Sequence, residues 1–156
     1  MVIMAPTRVL HDAGRLLLRA ALAVVFVAHG WQKVYDWTIE GTTERFVDME
    51  IPFPEVSAPT VAVLELVGGG LLGLGVLTRL VAVALGSSMI GALVLVHAEN
   101  GPFVEDGGWE LVLVLAAGCM TIALVGPGRV RMDRVLVRWF EKEDDELAEP
   151  PPRGRK

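Results

Sequence analysis

Four stretches of this chain are apolar and long enough to cross a bilayer, and this limits the possible folds more than any other feature. They run from about Arg15 to Tyr35, Pro59 to Leu77, Leu80 to Val96 and Trp109 to Val125. At a helical rise of about 1.5 Å per residue each reaches roughly 25–32 Å, close to the hydrocarbon thickness. Only Thr78 and Arg79 separate the second stretch from the third. Together those two are too long for a single crossing, so a tight helical hairpin with Arg79 at its tip is expected. The expected fold is an all-α membrane protein, a four-transmembrane-helix bundle. Composition agrees: the 156 residues are 53% hydrophobic, and the charge collects at the ends and in two internal stretches.

The charges also orient the chain. Arg8, Arg15 and Arg19 precede or open the first span, Arg79 marks the hairpin, and Arg129, Arg131, Arg134 and Arg138 follow the fourth span. The other side carries Asp36, Glu40, Glu44, Asp48, Glu50 and Glu55 against one base, Arg45, and then Glu99, Glu105 and Asp106. The positive-inside rule therefore places both termini in the cytoplasm of a multi-pass protein of the cell membrane. The opening apolar run imitates a signal peptide but continues into "HGWQKV" without a small-residue cleavage site.

Two amphipathic pieces flank the spans. Met132, Val135, Leu136, Trp139 and Phe140 recur at helical spacing, with Arg131, Arg134 and Arg138 off the stripe, so an interfacial cytoplasmic helix is expected over about 129–140. In "GTTERFVDMEIPFPEV" Thr42 or Thr43 caps a short helix over the outer mouth, which Pro52 and Pro54 end. Residues 1–140 form the membrane domain in this reading. Residues 141–156, acidic, proline-rich and then basic, form a disordered cytoplasmic tail.

Several function classes fall away. One cysteine, Cys119, allows no internal disulfide and reads as a small packing residue of the fourth span. Three histidines without a cysteine pair make no zinc signature, and no metal site is expected. A net charge of −5 without a basic helix gives no reason to expect nucleic acid. Gly69 and Gly73 form a small-xxx-small stripe that lets a neighbouring helix approach. The overlapping GxGxxG lies inside an apolar 19-mer rather than after a strand, so it is not a dinucleotide turn.

What remains is a set of polar residues at one height. His29 and Lys33 share a helix face near the end of the first span, with Gln32 beside them. Glu65 lies about six residues into the second span, roughly 9 Å below the surface. His97, Glu99 and Asn100 follow the third span and Glu110 opens the fourth. A carboxylate in the hydrocarbon layer costs about 2.5–3.5 kcal/mol and persists where it faces the bundle interior and finds a partner. Glu65 has two candidates, an ion pair with Lys33 or a shared proton with His29. These eight residues are the candidate lining of an outward-facing polar pocket.

The same segments resemble the DoxX family of small membrane proteins. "HGWQKV" resembles its HGxxK signature, and "ELVGGGLLGLGVLTRL" its second-span pattern of an acid, a glycine cluster and an arginine at the turn. "HAENGPFVEDGGWELVLVLAAG" is similar to its segment between spans three and four, with Pro102 interrupting the usual NGF. "GPGRVRMDRVL" resembles its closing GPGxxSLD, with Arg131 where serine is common. The resemblance covers about Arg15 to Leu136 and implies a four-helix bundle associated with redox chemistry. It implies membership of a membrane oxidoreductase complex, with superoxide dismutase and a sulfurtransferase as soluble partners and a quinone as a possible small-molecule ligand. Three readings follow. The chain is a redox-complex subunit with a polar pocket, a non-catalytic scaffold for soluble redox enzymes, or a small-solute or proton pathway.

Overall fold

The computed structural model describes residues 5–132, and all regular structure among them is helical. Helix α1 runs Ala5–Trp31 and continues through a π-helical turn, Gln32–Asp36. Helix α2 is Thr38–Asp48. Helix α3, Pro54–Leu74, contains a π-helical turn at Leu64–Gly68. Helix α4, Thr78–His97, ends in a third, Leu93–His97. A 3-10 turn, Val104–Asp106, precedes helix α5, Glu110–Val125. The segments Arg8–Asp36, Pro54–Leu74 and Thr78–His97 are long and apolar enough to cross a membrane; α5, with 16 residues, is shorter. The chain is thus a multi-pass, all-α membrane protein. Exposed aliphatic side chains, among them Leu17, Val24, Leu80, Val114 and Leu124, clothe its outer surface. Only lipid makes such a surface favourable, and in lipid the backbone amides must pair along their own helix.

Proline chemistry sets the boundaries around α2 and α3. The second span begins at Pro54, not near Pro59, because a proline in the first helical turn forfeits no intrahelical bond. Pro59 is carried inside the helix, where the carbonyl deprived of a donor belongs to exposed Glu55. Helix α2 begins at Thr38, ahead of the threonines expected to cap it. The Thr38 hydroxyl accepts the Gly41 N–H at 3.3 Å, and Thr42 lies fully buried in mid-helix. The hairpin between α3 and α4 turns at Gly75–Leu77, not at Thr78 and Arg79, which open α4; the turn is a Schellman motif set by the glycine. Gly75 takes the left-handed conformation (φ 79°), its N–H reaches the Leu72 carbonyl at 3.3 Å, and the Val76 N–H reaches the Leu71 carbonyl at 3.0 Å.

Helices α1 and α3 run antiparallel along one seam. On α1 the contacts fall at Arg19, Ala23, Phe26, Gly30 and Lys33, a 4-3-4-3 spacing that keeps one stripe facing the partner. Opposite them a Cβ on Gly73 would lie 2.9 Å from the Ala23 Cβ, and one on Gly69 would lie 2.9 Å from Phe26 and 3.0 Å from the Val27 nitrogen. A Cβ on Gly30 would overlap the Leu66 backbone. The small residues therefore bring two backbones together, the packing available where lipid removes any hydrophobic drive between helices. Helices α4 and α5 form the second pair, with Gly86 against Cys119 and Met120. Between the pairs lies the core of Leu22, Phe26, Leu72, Leu85, Leu115 and Ile122.

Arg19 closes one end of the seam. Its guanidinium is almost fully buried and donates to backbone carbonyls of two segments. Nε reaches Leu72 at 2.9 Å and Nη2 reaches Gly73 at 2.7 Å, both in the last turn of α3. Nη1 reaches Pro127 at 2.8 Å and Val130 at 2.7 Å, beyond α5. Helix-end carbonyls lack intrahelical donors and carry the negative end of the helix dipole, so a cation there satisfies both. The Met132 N–H adds a bond to the Leu74 carbonyl at 3.1 Å, and Arg129 reaches Asp12 at 3.5 Å. The start of α1, the α3–α4 turn and residues 126–132 thus share one arginine-rich end, while α2 and the 98–109 connector lie at the other. Residues 129–132 are not helical; the rest of the expected interfacial helix, 133–140, and the tail, 141–156, lie outside the described residues.

Two substitutions test this packing. Gly69→Leu should overpack the seam and destabilise the protein by about 1–3 kcal/mol, read as a lower thermal midpoint in detergent. Arg19→Lys should also destabilise it, because a single ammonium cannot span carbonyls arranged for a fork; equal midpoints for Arg19→Lys and wild type would contradict the latch.

Candidate functional site at the α2 end

The π-helical turns carry the chemistry. An inserted residue widens the helix and shifts the side chains that follow it, and such turns recur at functional sites. Lys33 lies on the turn in α1, Glu65 on the turn in α3 and His97 on the turn in α4. The Gly30–Leu66 contact holds α1 and α3 backbone to backbone one turn away. From that approach Lys33 Nζ meets Glu65 Oε2 at 2.6 Å. The side chains are 13% and 5% exposed. This is a charge-assisted hydrogen bond at the short end of the usual range, largely shielded from solvent. Of the two partners open to Glu65 in the sequence, the structure joins it to Lys33.

Thr42 completes the local framework. Its hydroxyl donates to the Lys33 carbonyl at 2.8 Å, supplying a donor to one of the carbonyls that a helix end leaves unpaired. Thr42 and Phe46, one turn apart, are the buried residues of α2, so this helix lies against the turn that carries Lys33. Arg45 stacks over Trp37 at 4.1 Å and steadies the junction between α1 and α2. Gln32 is half-buried on the same turn as Lys33. His29 is exposed beside the buried Gly30, on a face of α1 turned out of the seam.

The remaining candidates belong to a connector that bonds mainly to itself. His97 Nδ1 lies 2.5 Å from the Gly107 carbonyl. A carbonyl only accepts, so Nδ1 carries the proton. Asn100 Nδ2 donates to the Val96 and Gly107 carbonyls, each at 3.2 Å. Glu110 Oε1 accepts the Val104 N–H at 2.8 Å. The Trp109 and Glu110 amides reach back to the carbonyls of Gly101 and Pro102 at 3.1 and 3.0 Å, and Gly108 packs against that same backbone. Glu99 is exposed. The structure therefore brings Lys33 and Glu65 into direct contact, spends His97, Asn100 and Glu110 on the connector's own backbone, and leaves His29 and Glu99 at the surface.

Sequence reasoning missed three features of the site. Thr42 was expected as a helix cap; its spacing to Phe46, i to i+4, is the sign of a buried face. Arg19 was counted as a charge that orients the chain, and its burial shows only once α3 and the closing segment are in place. The π-helical turns leave no mark in hydrophobic periodicity at this length.

Residues 14–98, from α1 to the end of α4, match the sequence profile of the DoxX family. Among curated proteins, CatD of Bacillus subtilis (strain 168), whose name carries a provisional assignment as an oxidoreductase, is 32% identical over 122 residues, covering 78% of this chain and 86% of that protein. The inner membrane protein YqjF of Escherichia coli (strain K12) is 28% identical over 127 residues, covering 81% of this chain and 95% of its own. An uncharacterized membrane protein of Mycobacterium tuberculosis, Rv3486, is 32% identical over 142 residues, covering 83% and 86% of the two chains. No solved structure matches. A profile spanning more than half of the chain, and containing Gly30, Lys33, Glu65 and the Gly69–Gly73 stripe, identifies the chain as a member of the DoxX family.

Proposed function

We propose that this protein is the membrane subunit of a redox-associated complex, and that the Lys33–Glu65 pair forms its polar site for the head group of a quinone or a similar small molecule. The carrying observation is the 2.6 Å pair itself, held by two π-helical turns beside a core of small and apolar side chains. The family resemblance and the relative named as an oxidoreductase point the same way. A quinone supplies two-electron, two-proton redox chemistry. The chain's part is to hold a carbonyl oxygen with the Lys33 ammonium and to accept a hydrogen bond from a quinol hydroxyl at the Glu65 carboxylate. Electrons then come from a partner, the soluble enzymes implied by the resemblance being superoxide dismutase and a sulfurtransferase.

In the same reading α5 is a fourth span and both termini are cytoplasmic. Helix α5 runs antiparallel beside α4, its start tied to the 97–109 connector and its end at Gly126 beside Arg79. Its ends are therefore nearly level with those of a helix long enough to cross. The arginine-rich end collects Arg15, Arg19, Arg79, Arg129 and Arg131, and the α2 end is acidic, as the positive-inside rule requires.

A scaffold role has its own support, because Glu65 already has a partner and is almost wholly enclosed. A solute or proton route finds none along the seam, which is filled by Ala23, Phe26, Gly69 and Gly73 between Lys33 and Arg19.

Glu65→Gln should reduce quinone binding per folded molecule at least about ten-fold. Removing one charge of a buried pair costs about 3–5 kcal/mol, whereas replacing both by apolar groups is often neutral. Lys33→Met with Glu65→Leu should therefore regain thermal stability without regaining binding. Binding that survives in the stable double variant would favour the scaffold. For topology, cysteines at Glu50 and Glu105 in a Cys119→Ala background should react with a membrane-impermeant thiol reagent added outside intact cells, and one at Arg129 should not.

A further inference from the structure

Four non-glycine residues among those described hold a left-handed backbone: Thr38 (φ 61°), Glu50 (φ 56°), Phe53 (φ 53°) and Leu77 (φ 47°). Three of them bracket α2. Thr38 opens it, and Glu50 and Phe53 lie in the short stretch that returns the chain to α3. Residues with a Cβ stay in this region only where the surroundings hold them, and such positions gather at switch segments.

Helix α2 is attached through few buried side chains. Its buried face is Thr42 and Phe46, and its side-chain hydrogen bond to another helix is the one from Thr42 to the Lys33 carbonyl. Most of its remaining side chains, including Glu40, Glu44, Val47 and Asp48, are exposed. By contrast α1 and α3 are locked from Arg19 to Lys33. The piece that touches the carrier of Lys33 is thus a short, largely exposed helix, and its ends are conformationally strained.

We propose that α2 is a lid over the Lys33–Glu65 pair, latched by the Thr42 hydroxyl and swung on Thr38 at one end and Glu50–Phe53 at the other. The proposal rests on the reading of that pair as a ligand site and adds how the site is reached. In the closed state seen here the latch is made and Phe46 is buried. Opening breaks the Thr42–Lys33 bond, withdraws Phe46 and lets the bracketing residues leave the left-handed region, which offsets part of the lost contact. The pair then meets a polar head group from the α2 side, while the Gly30–Leu66 contact beneath it stays shut. Closure over the head group excludes water from the ion pair, as lids do elsewhere.

The test is hydrogen–deuterium exchange of the full chain in lipid nanodiscs, read with acylation of Lys33 by a membrane-impermeant active ester. Amides of 38–48 should exchange as one unit, faster than those of Gly69–Leu74 by about two orders of magnitude or more. Thr42→Val should speed that exchange on the order of ten-fold and speed Lys33 acylation in parallel. Protection of 38–48 equal to that of the spans in the wild type would overturn the lid, and so would Lys33 acylation that ignores the exchange rate of α2. The wild-type comparison stands even if the variant fails to fold. Opening without any quinone binding would leave the lid and remove the ligand; quinone binding with α2 rigid would do the reverse.

Discussion

The close antiparallel contact of α1 with α3 is the interaction on which the rest of the structure depends. Lipid offers no hydrophobic reward for bringing two apolar helices together, so their association rests on contact area and on polar groups that cannot be satisfied otherwise. This seam uses both. Ala23, Gly30, Gly69 and Gly73 bring the backbones close. Arg19 and Lys33, 14 residues and about 21 Å apart along α1, clamp the two ends. Buried arginine and buried glutamate are tolerated because each meets its complement, helix-end carbonyls in one case and an ammonium in the other.

The two clamps differ in chemistry and so in prospect. Arg19 cannot lose its proton in a protein and is bound to backbone carbonyls with no exchangeable charge of their own. It is suited to permanence, and it ties the middle of α1 to the end of α3 and to the segment that follows α5. The Lys33–Glu65 pair joins two side chains, on helical turns wider than the rest, beside a short helix whose buried residues are Thr42 and Phe46. In the proposed reading, binding at the α2 end leaves the Arg19 clamp at the other end of the seam untouched.

The connector between α4 and α5 looks like the wall of a site in the sequence, since His97, Glu99, Asn100 and Glu110 crowd within it. Its need for backbone partners explains that crowding more directly. A tight return with glycines at 101, 107 and 108 leaves amides and carbonyls without the partners that a helix supplies. His97, Asn100 and Glu110 supply the missing partners at Gly107, Val96 and Val104. Polar residues near a membrane surface answer first to the backbone, and only the remainder are free for a ligand.

Apolar length, charge asymmetry and the small-residue stripe were all legible in the sequence, because each is a one-dimensional record of a constraint imposed by the bilayer. They determined the membrane class, a tight hairpin between the second and third spans, and the face of α3 that carries Gly69 and Gly73; the hairpin's tip and the start of the second span, and with it the distance of Glu65 from the helix end, were set by Gly75 and Pro54. Periodicity could not show that Lys33 rather than His29 meets that acid. The two are four residues apart on one helix, and the choice turns on a π-helical insertion and on a backbone contact at Gly30 that exists only once α3 is docked. The burial of Arg19 and the role of Thr42 were hidden for the same reason: the carbonyls they bond belong to segments remote in sequence. The chain itself specified which groups are too polar for lipid, and the tertiary structure alone decided their partners, because a hydrogen bond needs atoms within about 3 Å and only packing brings distant segments that close.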